Sequence, residues 1–216
     1  PKEDKSINYQ KDTISLQISG NNVKGQGKIT LGGLWRTDII NNYLRATDKE
    51  RVDYLKGICN KGSNKCRIDE VKASDFKKRD TQLSINYDFS INDYVRSLDD
   101  ELLINPCLNK YLATTPIDIE NKKLDVTEKY AFTIQQVISI EIPNGYKLSY
   151  LPKDAALKKD LFGYDVSYKN TGNKIYMTIT VYGDYLQLAP AKFNEWNDFI
   201  SALNESYNEL ITLKKI

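Results

Sequence analysis

The sequence predicts a mainly β protein, an antiparallel β-sandwich with a helical insertion near residues 38–58 and a C-terminal helix near 190–209. Three observations in the stretch from Tyr130 to Leu188 carry this. Ile138, Ile140 and Ile142 alternate with Val137, Ser139 and Glu141, the two-residue period of a strand with one face inward. Ile175, Met177, Ile179 and Val181 alternate in the same way with Tyr176, Thr178, Thr180 and Tyr182. Between Tyr168 and Lys174, Asn170-Thr171-Gly172-Asn173 supplies residues that tolerate the left-handed backbone of a hairpin turn.

In chain order, Pro1 to Lys11 is polar and reads as a frayed leader. Thr13 to Ser19 alternates, with Ile14, Leu16 and Ile18 on one side, and Gly20-Asn21-Asn22 turns it into a second strand from Val23 to Leu31. Gly25, Gly27, Gly32 and Gly33 fit neither a dinucleotide nor a P-loop spacing and read as bulges or turn sites. Ile39, Ile40, Tyr43 and Leu44 then fall at helical spacing. Thr47-Asp48-Lys49-Glu50 reads as a capping box opening a stripe of Val52, Leu55 and Ile58, and Gly57 to Gly62 marks the exit. Strands resume at Arg67–Ser74 and Gln82–Phe89. From Asp99 to Ile119 no period is evident, and Pro106 and Pro116 make this a long excursion. Pro190 opens a last helix, in which Phe193, Trp196, Ile200, Leu203, Tyr207 and Leu210 form one face. Such a face packs on a sheet more readily than it builds a cofactor site. Residues 1–216 read as one domain, with a break near 90–125 as the alternative.

The composition bounds the function. Thirty-one basic and 29 acidic side chains leave a net charge of +2, unlike a dedicated nucleic-acid binder. Lys77-Lys78-Arg79, flanked by Asp75 and Asp80, reads as a solvated loop, with an anion contact as the alternative. No apolar run approaches the ~18 residues of a membrane span, and the residues from Pro1 do not read as a secretory signal.

No histidine occurs among the 216 residues, which excludes Ser-His-Asp and Cys-His catalysis and histidine-ligated metal within this chain. Cys59 and Cys66 bracket a Gly/Ser/Asn/Lys loop, and a local disulfide or two free thiols both fit. Cys107 lacks an activating base and reads as a small buried hydrophobe. With no Cys-x-x-Cys pair, a metal site is not expected, nor is a cofactor. Paired carboxylates are the one catalytic chemistry left. Asp99, Asp100 and Glu101 cluster, and Asp118 and Glu120 follow in the excursion. Asp99-Asp100-Glu101 also suits calcium in charge but lacks a spaced ligand loop. Among fifteen tyrosines, Tyr164, Tyr168, Tyr176 and Tyr182 alternate on adjoining strands, where they would stack on sugar rings or simply stabilise the sheet as cross-strand pairs.

Ile142-Pro143-Asn144-Gly145-Tyr146-Lys147 followed by Leu151-Pro152 resembles a passage of a bacterial family. There, a region of unknown function follows a transglutaminase-like, papain-like core in large envelope proteins of Bacteroidetes type. The similarity extends through Phe162-Gly163, the hairpin, and Phe193 to Leu213, and more loosely to the Gly25-to-Gly33 strand, the Thr47-to-Leu55 helix and Leu102-to-Pro106. The resemblance implies a jelly-roll type of sandwich, export to the periplasm or cell surface, and a Cys, His and Asp core upstream in the same polypeptide. Such a compartment would permit a Cys59–Cys66 bridge. No residue here matches that catalytic set, so the resemblance assigns no catalytic residue.

The leading expectation is therefore a non-catalytic accessory domain that supports such a core or docks a partner. A stand-alone module binding a glycan or cell-wall peptide comes second, and a carboxylate hydrolase third.

Overall fold

The computed structural model describes residues 4–78 and 82–216. β1 (Tyr9–Ser19) and β2 (Asn22–Leu31) form the first predicted hairpin, turned at Gly20-Asn21 with Gly20 at φ +59°. The leader is shorter than expected. Asn8 is buried, its amide donating to the Ala131 carbonyl and accepting from the Leu34 N–H, so β1 begins at Tyr9. Pro1 to Glu3 lie outside the described residues.

Gly25 and Gly27 mark neither bulge nor turn. They sit in regular register opposite Phe89 and Tyr87, and a Cβ at either position would overlap the facing aromatic ring. The helical insertion is two helices, α1 (Gly33–Arg45) and α2 (Asp48–Cys59). The second starts at the predicted capping box, where the Thr47 N–H donates to the Glu50 carboxylate at 2.8 Å. β3 (Cys66–Ala73) and β4 (Leu83–Ile91) follow as expected. Of the basic run and its flanks, Arg79 and Asp80 lie outside the described residues.

The long excursion is less irregular than its sequence. β5 (Arg96–Leu98), β6 (Glu101–Ile104) and the short β7 (Val126–Thr127) lie in and beside it. Then come β8 (Phe132–Glu141), β9 (Tyr146–Tyr150), β10 (Ala155–Lys158), β11 (Phe162–Thr171) and β12 (Lys174–Gly183). β13 (Gln187–Leu188), α3 (Phe193–Tyr207) and β14 (Ile211–Lys215) close the order.

Eight strands make one sheet in the order β10-β11-β12-β8-β1-β2-β4-β3. It is mixed rather than wholly antiparallel, because β1 and β8 pair in parallel. Each half of the chain builds its own antiparallel four-stranded unit, and the two join along their first strands. The connection of about a hundred residues between those strands is ample for a parallel crossover. β5, β6, β14 and β9 form a second, four-stranded sheet, and β7 pairs with β13. Neither the eight-stranded nor the four-stranded sheet closes into a barrel.

The inner face of the large sheet, with Ile14, Leu16, Ile85, Ile138, Met177 and Val181, belongs to one contiguous core. That core also contains Leu55 and Cys59 of α2, the aromatic face of α3, and Leu102, Ile104, Ile211 and Leu213 of the small sheet, giving a sandwich-like arrangement. Phe193, Trp196, Ile200, Leu203 and Tyr207 are buried on α3 as predicted, joined by Phe199. Leu210 lies past the helix end. Trp196 meets Phe162 edge-on, with centroids 5.2 Å apart.

From Tyr111 to Ile117 the backbone of the excursion is held by side chains of α3. Asn197 accepts from the Ile117 N–H and donates to the Ile117 carbonyl; Trp196, Asn204 and Tyr207 donate to the carbonyls of Thr115, Ala113 and Tyr111. The same loop accepts from Gln136 of β8 at Asn109.

Candidate functional site

The small sheet presents a surface that its register defines. Arg96 pairs with Leu103, Leu103 with Thr212, and Thr212 with Tyr150. Directly paired residues of antiparallel strands project to the same side. These four therefore form a row across β5, β6, β14 and β9, on the face away from buried Leu102, Ile104, Ile211 and Leu213.

The row lies in a groove. At one end is a cleft of about 650 Å³ whose lining includes Arg96, Leu103, Asn105, Lys110, Asn208 and Leu210. A second cleft of about 540 Å³ shares Leu103, Asn208 and Leu210 with it and continues to Tyr150, Glu205 and Glu209. A third, of about 270 Å³, shares Tyr150, Glu205 and Glu209 and ends at Lys153, Asp154 and Tyr168, where three carboxylates outnumber one cation.

Charge changes sign along this groove. The first cleft is lined by two cations, Arg96 and Lys110, and no carboxylate. Lys110 donates to the neutral Asn208 amide at 2.8 Å, so its charge is held but not cancelled. The second is lined by two carboxylates, Glu205 and Glu209, and no cation. Tyr150, 49% exposed, stands beside Glu209 with its hydroxyl 3.5 Å away. The Tyr168 hydroxyl, at the acidic end, is buried with no hydrogen-bond partner. Burial chiefly, then the neighbouring Cys107, with smaller contributions from Glu209 and Asp154, holds that phenol above its ordinary range.

Cys107 lies behind the first cleft with its Sγ 3.6 Å from the Met177 Sδ. Burial pushes its thiol up to about 12, so at neutral pH it is protonated and packs as an apolar group. Cys59 is held up to about 12 by the same cause. All three cysteines are free thiols, so the structure does not make the Cys59–Cys66 bridge. The loop between them is instead anchored to the large sheet. Lys61 reaches into the core and meets Asp12 at 2.6 Å.

The four tyrosines singled out by their alternation do not share a face. Tyr164 is buried under α3, donating to Ala202 and accepting from Ser206, and Tyr168 opposes inward-facing Met177. Tyr176 and Tyr182 point to the other side of the sheet. Tyr182 covers Gly163, donates to the Lys159 carbonyl and lies under the Lys5 ammonium. Tyr176 alone of the four is exposed. The hairpin register decides this, because it sets odd-numbered β12 residues beside even-numbered β11 residues.

The acidic clusters are engaged locally. Asp100 pairs with Lys214, and Asp118 accepts from its own turn at Glu120 and Asn121, which lowers its pKa. Among the described residues, no three His, Cys, Asp or Glu side chains are grouped to hold a metal ion. Arg96, Lys110, Tyr150, Glu205 and Glu209 were not singled out from the sequence. They lie on a strand, a loop, an edge strand and a helix end, and only the i, i+4 spacing of the two glutamates is a local signal.

No curated protein matches the chain. A family model described as "Domain of Unknown Function with solved-structure structure (DUF3858)" matches residues 100–213, a span that includes β6, nearly all of the excursion, α3, the start of β14 and most of the groove. That span is just over half of the chain, which therefore belongs to the DUF3858 family.

Proposed function

We propose that this chain is a non-catalytic accessory domain of a cell-envelope protein, placed after a transglutaminase-like or protease-like core and docking a partner for it. The groove across the small sheet is the observation that carries this reading. It offers fixed charges of both signs and an exposed aromatic, the equipment of recognition. The thiol nearest to it is protonated and packed against a methionine. The sequence holds no histidine to activate that thiol.

The test is the intact mass of the native protein from its source cells, with peptide mapping upstream of Pro1. A mass well above 24.8 kDa, with a segment containing Cys and His upstream, is the expected result. A native mass near 24.8 kDa overturns the accessory role.

A second reading, glycan binding, is favoured by exposed Tyr176 on a face of Ser139, Thr178, Thr180 and Gln135. Retardation in a polysaccharide affinity gel, lost on Tyr176→Ala, supports it, and unchanged migration across several glycans removes it.

A further inference from the structure

We infer that the groove across the small sheet binds a short extended peptide segment of another polypeptide, with an acidic residue at one end and a basic residue at the other. The inference rests on the docking role proposed above and names the surface and the chemistry of its partner.

The dimensions suit a peptide. Four strands lie side by side under the Arg96-Leu103-Thr212-Tyr150 row. Neighbouring strands are about 4.8 Å apart, so the row spans roughly 14 Å, the length of about four extended residues at 3.3 Å each. The flanking clefts extend it at both ends. Leu103 and Leu210 give the middle an apolar floor for a small or aliphatic side chain.

The charges fix the polarity. Arg96 and Lys110 have no carboxylate partner among the described residues, and a ligand carboxylate placed there meets two cations and no anion. Glu205 lies in the last turn of α3 and Glu209 just past the helix end, and a ligand ammonium or guanidinium there meets two carboxylates with Tyr150 beside them. A segment charged with one sign only gains at one end and is repelled at the other, so the groove selects by charge order.

The test uses the whole chain and two pools of end-capped, fluorescein-labelled hexapeptides. One pool carries Asp or Glu at one end and Lys or Arg at the other, with apolar residues between. In the control pool the acids are replaced by their amides. Fluorescence anisotropy should show binding to the bipolar pool, weakened by added salt, and at least about tenfold weaker binding to the control, the effect of some 1.4 kcal/mol.

Arg96→Ser with Lys110→Ser, and separately Glu205→Gln with Glu209→Gln, should each weaken binding about tenfold or more. Tyr176→Ala, on the other sheet, should leave it unchanged. These positions are exposed, and matched thermal midpoints certify that a loss is not unfolding. Absence of binding to the bipolar pool, equal binding to both pools, or binding indifferent to both pairs of substitutions overturns the inference. A long native polypeptide without peptide binding keeps the accessory role and removes this groove from it. Peptide binding by a native chain of 24.8 kDa does the reverse.

Discussion

The Lys61 ammonium lies 2.6 Å from the Asp12 carboxylate, with the two side chains only 1% and 2% exposed. Lys61 comes from the loop after α2 and Asp12 from the centre of the large sheet. The Tyr87 hydroxyl stands 2.7 and 2.8 Å from the two Asp12 oxygens and donates to that carboxylate, while the Lys61 ammonium lies 4.5 Å above the Tyr87 ring. A buried pair of this kind adds little over a well-packed apolar pair, but breaking it leaves an uncompensated charge in the core.

Lys61→Met should therefore lower stability by about 3–5 kcal/mol. Adding Asp12→Leu should cost less than the sum of the two single changes, because the second change removes the stranded charge. Urea denaturation of the four proteins checks this. Strict additivity would mean that the two groups do not depend on each other.

Alkaline pH should destabilise the fold from about pH 10, the ordinary phenol pKa. Burial, reinforced by the Asp12 charge at Tyr87, raises the Tyr87 and Tyr207 pKa values in the folded state. Their contribution is whole below the unfolded pKa and is lost as pH rises toward the folded one. Each such phenol removes about 1.4 kcal/mol per pH unit above pH 10. Denaturation midpoints across pH 8–12 should fall, and phenolate absorbance should lag that of the protein in urea. A flat profile contradicts the burial of these hydroxyls.

Thiol labelling should separate the cysteines. Cys59 and Cys107 are buried and held protonated near 12, whereas Cys66 is half-buried at the start of β3. Iodoacetamide at neutral pH should modify Cys66 first and the other two only as the protein opens, since the thiolate is the reactive form. Mass spectrometry reads out the order. A labelled Cys107 in the folded protein, or a Cys59–Cys66 bridge in the unreduced protein, contradicts this arrangement.

Asn197→Ala should loosen the excursion without unfolding the sheet. The Asn197 amide holds both the N–H and the carbonyl of Ile117, at 2.8 and 2.9 Å. Removing it leaves two backbone groups without their partner, at about 1–3 kcal/mol. Limited trypsin digestion should then cut first at Lys122 or Lys123, and amide exchange should rise at Ile117. Cleavage unchanged from the parent would show that Trp196 and Asn204 hold the loop without it.

Much of the fold is legible in the sequence because it is written in local terms. The alternation of Ile138, Ile140 and Ile142, the turn at Gly172, the Thr47–Glu50 box and the aromatic face of α3 each depend on neighbours within a few residues. Local pattern fails at longer range. The parallel pairing of β1 with β8 depends on residues more than a hundred positions apart. Asp12 looks like an outlier in a strand until Lys61 arrives beside it.

The tyrosines show the limit most clearly. Period alone sorts Tyr164 and Tyr168 into one set and Tyr176 and Tyr182 into another, but which set meets the core depends on hairpin register and on where α3 packs. The groove depends on tertiary structure altogether. Arg96, Lys110, Tyr150, Glu205 and Glu209 are unremarkable surface residues in the sequence, and only the strand order β5-β6-β14-β9 and the seat of α3 bring them to one surface. The sequence by itself determined the β class, the helices and the chemistry that a chain without histidine lacks, since composition and short-range periodicity suffice for those. Tertiary structure decided which side chains face one another, because that is a matter of register and packing between segments far apart in the chain.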